Sequence, residues 1–148
     1  FTVAHSITLA AATLGYISAP SGPIEALIAL SIALVAAEVI AKNRGQPSPT
    51  AERPGLVAFG FGLLHGLGFA GALSETGLPD DAIPVALLFF NVGVEIGQRE
   101  FVAVLLTVGA LTRRLIPQLL PQGAVAVAFA IGTLAAFWTI ERVVGIVS

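Results

Sequence analysis

The chain has no cysteine and no methionine, and it has few charged residues. Without cysteine it can form no disulfide, no thiolate metal site and no cysteine nucleophile. Without thioethers as well, it lacks the soft ligands that Cu(I) prefers. Methionine is missing even at position 1, which indicates a fragment or a processed chain. Charged residues make up 11% of the sequence, against about 25% in an average soluble domain, and this excludes a soluble protein.

Apolar surface is what the sequence has in excess. Hydrophobic residues make up 56% of its 148 positions, and the mean hydropathy is +0.94. Such surface suits a lipid bilayer, which is therefore the first expected partner. A net charge of −2 without a basic patch argues against nucleic acid. We predict an all-α fold, a polytopic transmembrane helix bundle that forms a single domain over residues 1–148.

Five apolar segments predict about five spanning helices, at residues 1–17, 24–41, 55–73, 84–111 and 123–144. A helix crosses a core of about 30 Å with about 20 residues, so the first span is marginal in length. The fourth is long enough to be tilted, or broken near Gly93 and Gly97. Turns or polar linkers separate the first four spans, at residues 18–23, 45–54 and 75–81, and the last of these is acidic.

The loop charges predict an orientation. The two loops on one side of a five-span chain hold five of the seven basic residues: Lys42, Arg44, Arg53, Arg113 and Arg114. Basic loops stay in the cytoplasm, so we expect Phe1 on the cytoplasmic side and Ser148 outside.

Polar side chains form a stripe in the fourth span. Asn91, Glu95 and Gln98 are spaced i, i+4 and i+7, which puts them on one helix face. A charged or amide group at bilayer depth is costly unless it faces a partner or a water-filled cavity. The stripe therefore predicts either one wall of a polar functional site or a polar contact between helices.

Residue counts from the span edges give approximate depths. His65 and Asn91 fall near the midplane, with Glu95 and Gln98 below them toward the cytoplasm. His5 and Glu38 fall nearest the cytoplasmic side, and Glu25 falls near the outer end of span two. We expect a cation path with His5, His65 and Glu95 as metal ligands, and with the secondary residues Asn91, Gln98, Glu38 and Glu25. Glycines crowd around His65, with Gly62-xxx-Gly66 as a pair that favours close helix packing.

Structural roles for the same residues stay open. His5 is a candidate for a helix-to-helix hydrogen bond with Ser31 or Thr8. Glu95 has Arg99 one turn on, at the spacing of an ion pair, and Glu38 lies close to Lys42 at the membrane interface. The sequence has no HExxH motif, no His-x-x-x-His pair and no arrangement that suggests a catalytic triad, so no enzyme is expected.

Four ordered motifs cover nearly the whole chain: Phe1-Thr-Val-Ala-His5-Ser-Ile-Thr-Leu9, Ile28-Ala-Leu-Ser-Ile32 with Glu38, Phe59-Gly-Phe-Gly-Leu-Leu-His65-Gly-Leu-Gly-Phe-Ala-Gly71, and Phe90-Asn-Val-Gly-Val-Glu95-Ile-Gly-Gln98. Together they resemble the HupE/UreJ family of membrane proteins. The resemblance implies a multi-pass protein of the bacterial cytoplasmic membrane, of a kind described as nickel or related metal permeases. That family has a further helix with His and Asp residues before the first motif, so the metal site in this chain is expected to be incomplete.

The residues and the resemblance agree on a divalent transition metal. Imidazole suits nickel, cobalt, copper(II) and zinc, and a carboxylate offsets part of the cation charge. Nickel is favoured by the resemblance. The alternative is a structural or accessory subunit of a larger membrane complex, in which the polar residues are helix contacts. Its partners would be other membrane subunits or further copies of the chain.

Overall fold

The computed structural model describes residues 1–75 and 79–147. Its α-helices are α1 (Thr2–Thr13), α2 (Ser21–Asn43), α3 (Pro49–Glu52), α4 (Pro54–Glu75), α5 (Ile83–Leu115) and α6 (Leu119–Val147). A 3-10 turn, Asp80–Ala82, precedes α5. The described residues contain no strand, so the all-α prediction is confirmed.

Each predicted span contains one long or medium helix, and the structure adds two details. α1 ends at Thr13 rather than at residue 17, because the backbone turns at Gly15, whose φ is +80°. The N–H of Tyr16 then bonds to the carbonyl oxygen of Ala11 at 2.8 Å and closes the helix end. α5 is continuous from Ile83 to Leu115, without a break at its central glycines.

Three helices in the described ranges are long and apolar enough to cross a membrane: α2, residues Pro54–Gly71 of α4, and α6. The chain is therefore a helical membrane protein. α1 has 12 residues and measures about 18 Å, and α5 carries three charges within six positions. Residues 76–78 of the predicted acidic turn, and Ser148 at the predicted external end, lie outside the described residues.

Glycines bring α1 into close parallel contact with α4. A Cβ atom at Gly62 would lie 2.9 Å from the Cβ of Ala4, and one at Gly66 would lie 2.9 Å from the backbone nitrogen of Leu9. The hydroxyl of Thr8 donates a 2.8 Å hydrogen bond to the carbonyl of Leu63 across the same contact. The Gly62-xxx-Gly66 pair is thus confirmed as a close-packing surface.

Small residues also join α2 to α6, which run antiparallel. A Cβ at Gly132 would lie 3.0 Å from that of Ala36, and alanines dominate the buried positions of both helices. At one end of this pair Arg142 Nε lies 3.1 Å from Glu25 Oε2. Packing through small side chains is what helix association in lipid requires.

α5 is attached to the bundle mainly through its first half. Leu87 and Phe90 of α5 pack against a core cluster that includes Leu9 of α1 and Ala70 of α4. Every residue at positions 96–108 is exposed. The second half of α5 therefore has no packed face within the described part of the chain.

Replacing a glycine at the contact between α1 and α4 tests this arrangement. We expect Gly66→Ala to lower the free energy of unfolding by about 1–3 kcal/mol, because the methyl group would overlap Thr8 and the backbone of α1. Gly60→Ala is the matched control, since nothing lies within 4 Å of a Cβ there. It should change stability by less than about 1 kcal/mol. Denaturation of the full chain in detergent, followed by circular dichroism, measures both, and equal effects would contradict the contact.

Candidate functional site

Hydrogen bonds between polar side chains join α1 to α5. Thr2 Oγ1 donates to Glu95 Oε2 at 2.6 Å, and Ser6 Oγ donates to Asn91 Oδ1 at 2.7 Å. Both pairs are four residues apart, so they meet in register on antiparallel helices. We call Thr2, His5, Ser6, Asn91 and Glu95 the polar seam.

The Asn91 amide sets the hydrogen-bonding role of His5. Its Nδ2 donates to the carbonyl of Leu87 at 2.8 Å, which turns Oδ1 toward α1. Oδ1 then lies 3.4 Å from His5 Nδ1. Because an amide oxygen can only accept, the hydrogen of a neutral imidazole belongs on Nδ1 in this contact. Nε2 is left with a free lone pair.

His5 is enclosed by aromatic rings. Its side chain is 1% exposed, and it stacks on Phe1 and Phe90 at centroid distances of 5.7 and 6.2 Å. Phe69 contacts it edge-on at 5.6 Å. His5 Nε2 is buried and has no hydrogen-bond partner among residues 1–75 and 79–147. A buried polar atom without a partner is uncommon in native proteins and calls for a physical reason.

His65 also contacts the ring of Phe1. The two rings meet edge-on at 5.5 Å, and His65 Nδ1 is 2.8 Å from the carbonyl oxygen of Phe61 in its own helix. His65 and Ser31 are the polar side chains in the wall of an otherwise apolar cavity of about 530 Å³ between α2, α4 and α6. The ring of Phe1 thus contacts both imidazoles.

Glu95 lies at the end of the polar seam opposite to Asn91. Its Oε1 is 2.8 Å from a guanidinium nitrogen of Arg99, so the ion pair that the spacing allows is formed. Gln98, Glu95 and Thr2 line an open groove of about 390 Å³ along α5. The predicted face of Asn91, Glu95 and Gln98 therefore faces α1 at its first two members and the groove at its third.

Two of the predicted secondary residues lie elsewhere. Glu38 accepts hydrogen bonds from Ser48 Oγ at 2.6 Å and from the backbone N–H and the hydroxyl of Thr50, so it binds the linker before α4. α2 turns this carboxylate, which was expected near the cytoplasmic side as a secondary residue of the path, toward the linker. Glu25, expected at the outer mouth of a path, pairs with Arg142 of α6.

The partners expected for a structural His5 also differ. Ser31 donates to the carbonyl of Ile28 in its own helix at 2.7 Å, and Thr8 donates to α4. His5 contacts Asn91 instead.

The polar groups form three separate small sites, which we call stations, rather than one cluster. Within the described ranges, no three His, Cys, Asp or Glu side chains lie close enough together to hold a metal ion. His65 with Ser31, His5 with Asn91, and Glu95 with Thr2 follow one another around the start of α1. Such an arrangement offers nitrogen and oxygen ligands in sequence.

Sequence reasoning missed Thr2 and Ser6 of the polar seam and the aromatic rings that surround His5. Thr2 and Ser6 share the i, i+4 spacing of Asn91 and Glu95, and this match was a usable signal. No comparable pattern marks Phe69 and Phe90 as neighbours of His5, because they come from two different helices.

The helices and the seam define a multi-pass membrane protein with a polar, histidine-containing contact between two of its helices. The family model described as HupE / UreJ protein matches residues 1–142. The chain therefore belongs to the HupE/UreJ family, as its motifs predict. Comparisons with curated proteins and with solved structures found no match.

Loss of one seam hydroxyl should weaken the attachment of α5. We expect Thr2→Val to lower the free energy of unfolding by about 1–2 kcal/mol, because Glu95 loses a donor at the same side-chain volume. Thr107→Val is the matched control, since that hydroxyl bonds only to the carbonyl of Ala103 in its own exposed turn. Chemical denaturation in detergent measures the difference. A Thr2 effect no larger than that of Thr107 would show that the seam contributes nothing to stability.

Proposed function

We propose that this protein binds a divalent transition metal ion, nickel or a chemically similar ion, and carries it across the bacterial cytoplasmic membrane. His5, His65 and Glu95 are the proposed ligands. Asn91 orients His5, and Gln98 lies beside Glu95 in the groove.

The unpartnered Nε2 atom of His5 is the observation that carries this proposal. Asn91 holds the hydrogen on Nδ1, which leaves Nε2 as a lone pair in a dry aromatic surrounding. Metal-binding histidines commonly use one ring nitrogen for the metal and the other for a hydrogen bond to a protein oxygen. Neutral imidazole is a good ligand for nickel, cobalt, copper(II) and zinc.

The separation of the stations favours transport over tight storage. A transported ion must bind well enough to enter each station and weakly enough to leave it. Phe1 contacts both His65 and His5, so an ion that moves between these stations passes beside the Phe1 ring. At Glu95 the ion would compete with Thr2 and Arg99 for the carboxylate.

The relative directions of the helices support five crossing segments with alternating direction. α1 runs parallel to α4 and antiparallel to α5, and α2 runs antiparallel to α6. A chain that crosses five times, through α1, α2, α4, α5 and α6, has these same directions. With the basic loops inside, the Phe1 end is cytoplasmic and the C-terminal end external.

A second candidate function is that of an accessory subunit in a larger membrane assembly. The polar seam favours it in one respect, since its five residues already bond to one another across the helix contact. In this function the seam holds α5 in place, and no ion enters it.

Calorimetric titration of the purified full chain with Ni²⁺, Co²⁺ and Zn²⁺ separates the two functions. We expect binding to the unchanged protein, and a loss of affinity of about tenfold or more in His5→Ala, since a ligand is removed. A His65→Ala, Glu95→Ala double variant should bind no more than background. Glu141→Gln removes a carboxylate from α6, away from the seam, and should bind like the unchanged protein.

The contrary result is equally specific. If the His5 and Glu95 variants lose stability while the metal titrations stay the same, the seam is structural and the transport proposal is wrong.

The absence of cysteine permits a direct test of the five-span topology. Single cysteines would be placed at Ser18, Gln46, Asp81 and Gln118. A membrane-impermeant maleimide should label two of these positions from each side of the membrane. We expect Gln46→Cys and Gln118→Cys to be labelled from the cytoplasmic side, and Ser18→Cys and Asp81→Cys from outside. Labelling of positions 81 and 118 from the same side would show that α5 does not cross.

A further inference from the structure

Glu100 is a charge at the middle of α5 without a partner in the described parts of the chain. It lies 17 residues after Ile83 and 15 before Leu115, the two ends of the helix. Its side chain is exposed, and the ion pairs found are those of Arg99 with Glu95 and of Arg142 with Glu25. The position is therefore neither a helix cap nor a helix end.

No placement of an isolated α5 in a bilayer suits its sequence. The helix is about 50 Å long, against an apolar core of about 30 Å. If its centre lies in the core, Glu100 faces hydrocarbon, which is costly. If the first half spans instead, residues 101–112 lie in water with no charged side chain among them and with a large exposed apolar surface. Both placements require that another surface cover the middle of α5.

One face of α5 points away from the polar seam and carries Glu100. We call it the outer face of α5, and its residues recur at alternating spacings of four and three: Phe89, Gly93, Ile96, Glu100, Ala103 and Thr107. Phe89 is 69% exposed and Ile96 51%. Nothing lies within 4 Å of a Cβ built on Gly93, so a neighbouring helix has room to approach there.

We propose that the outer face of α5 binds a second copy of this chain, with the two α5 helices side by side about a two-fold axis along the membrane normal. Two copies inserted in the same direction place their Arg99 and Glu100 residues at one depth, since adjacent residues differ by only about 1.5 Å along the axis. Arg99 flanks the outer face and is 77% exposed. Each Glu100 then meets Arg99 of the second copy, and the symmetry forms the pair twice.

The charge pattern of the outer face of α5 favours a second copy of this chain as its partner. A self-complementary contact about a two-fold axis needs an acid and a base at the same depth on its two sides. Glu100 and Arg99 satisfy this requirement, because adjacent residues lie about 100° apart around a helix. The small residues of the row, Gly93 and Ala103, allow the close approach that ion pairing in a dry contact demands. The proposal does not rest on metal transport, since it is argued from the face of α5 opposite the polar seam.

Disulfide trapping tests the proposal on the full chain, because it has no cysteine of its own. The protein would be placed in phosphatidylcholine vesicles at a low protein-to-lipid ratio and oxidised with copper phenanthroline. We expect Ala103→Cys to give a covalent dimer of two chains. Leu105→Cys is the matched control, since it lies two residues further on a different face and is also exposed, and it should stay monomeric.

A charge variant tests the ion pair itself. Glu100→Gln added to Ala103→Cys should lower the dimer yield about tenfold, because it removes the carboxylate that pairs with Arg99 of the second copy in a dry contact. Glu141→Gln in the same background should leave the yield unchanged. These side chains are exposed in the single chain, so circular dichroism should show the same helix content in all variants. Equal yields at positions 103 and 105, monomer at both, or insensitivity to Glu100→Gln would overturn the proposal.

Discussion

The close approach of α1 to α4 positions the polar groups of the candidate site. α1 is short, and its backbone lies against Gly62 and Gly66 of α4 with no side chain between them. The Thr8 hydroxyl adds a bond across this contact, so the rotation of α1 about its own axis is fixed. That rotation presents Thr2 and Ser6 to α5 and encloses His5 between the helices. A side chain at either glycine would move α1 outward and separate the donors of the seam from their acceptors.

Lipid changes which contacts hold such a bundle together. Lipid tails are as apolar as leucine, so helices gain little from burying leucine against one another, and close packing and hydrogen bonds decide the association. Measured interhelical hydrogen bonds in a membrane protein average about 0.6 kcal/mol each. The seam therefore attaches α5 with modest energy, aided by Leu87 and Phe90. Bonds of this strength can exchange with a passing ion, which suits the transport function proposed for the seam.

Helix identity and close packing could be predicted from this sequence, while the pairing of polar residues could not. Apolar runs bounded by proline and glycine give the helices, and Gly62-xxx-Gly66 gives a packing surface. Depth counts do not give the rotation of each helix, and rotation decides that Glu38 faces Ser48 rather than His5. The turn at Gly15 also ends α1 four positions before the predicted end of the first span, residue 17, and so moves its depth relative to the other helices. The contact between His5 and Asn91 depends on both the rotation and the depth of α1.

α5 takes part in both proposals, and Arg99 is where they meet. Within one chain Arg99 pairs with Glu95, the carboxylate proposed to bind the ion. In the proposed dimer the same guanidinium also lies beside Glu100 of the second copy. An ion at Glu95 would take over part of the charge compensation that Arg99 supplies, and would leave Arg99 freer to pair across the dimer. Since coupling between two binding events is reciprocal, association of the chains would in turn favour the ion at Glu95. One arginine between two carboxylates is enough to link the two faces of the helix.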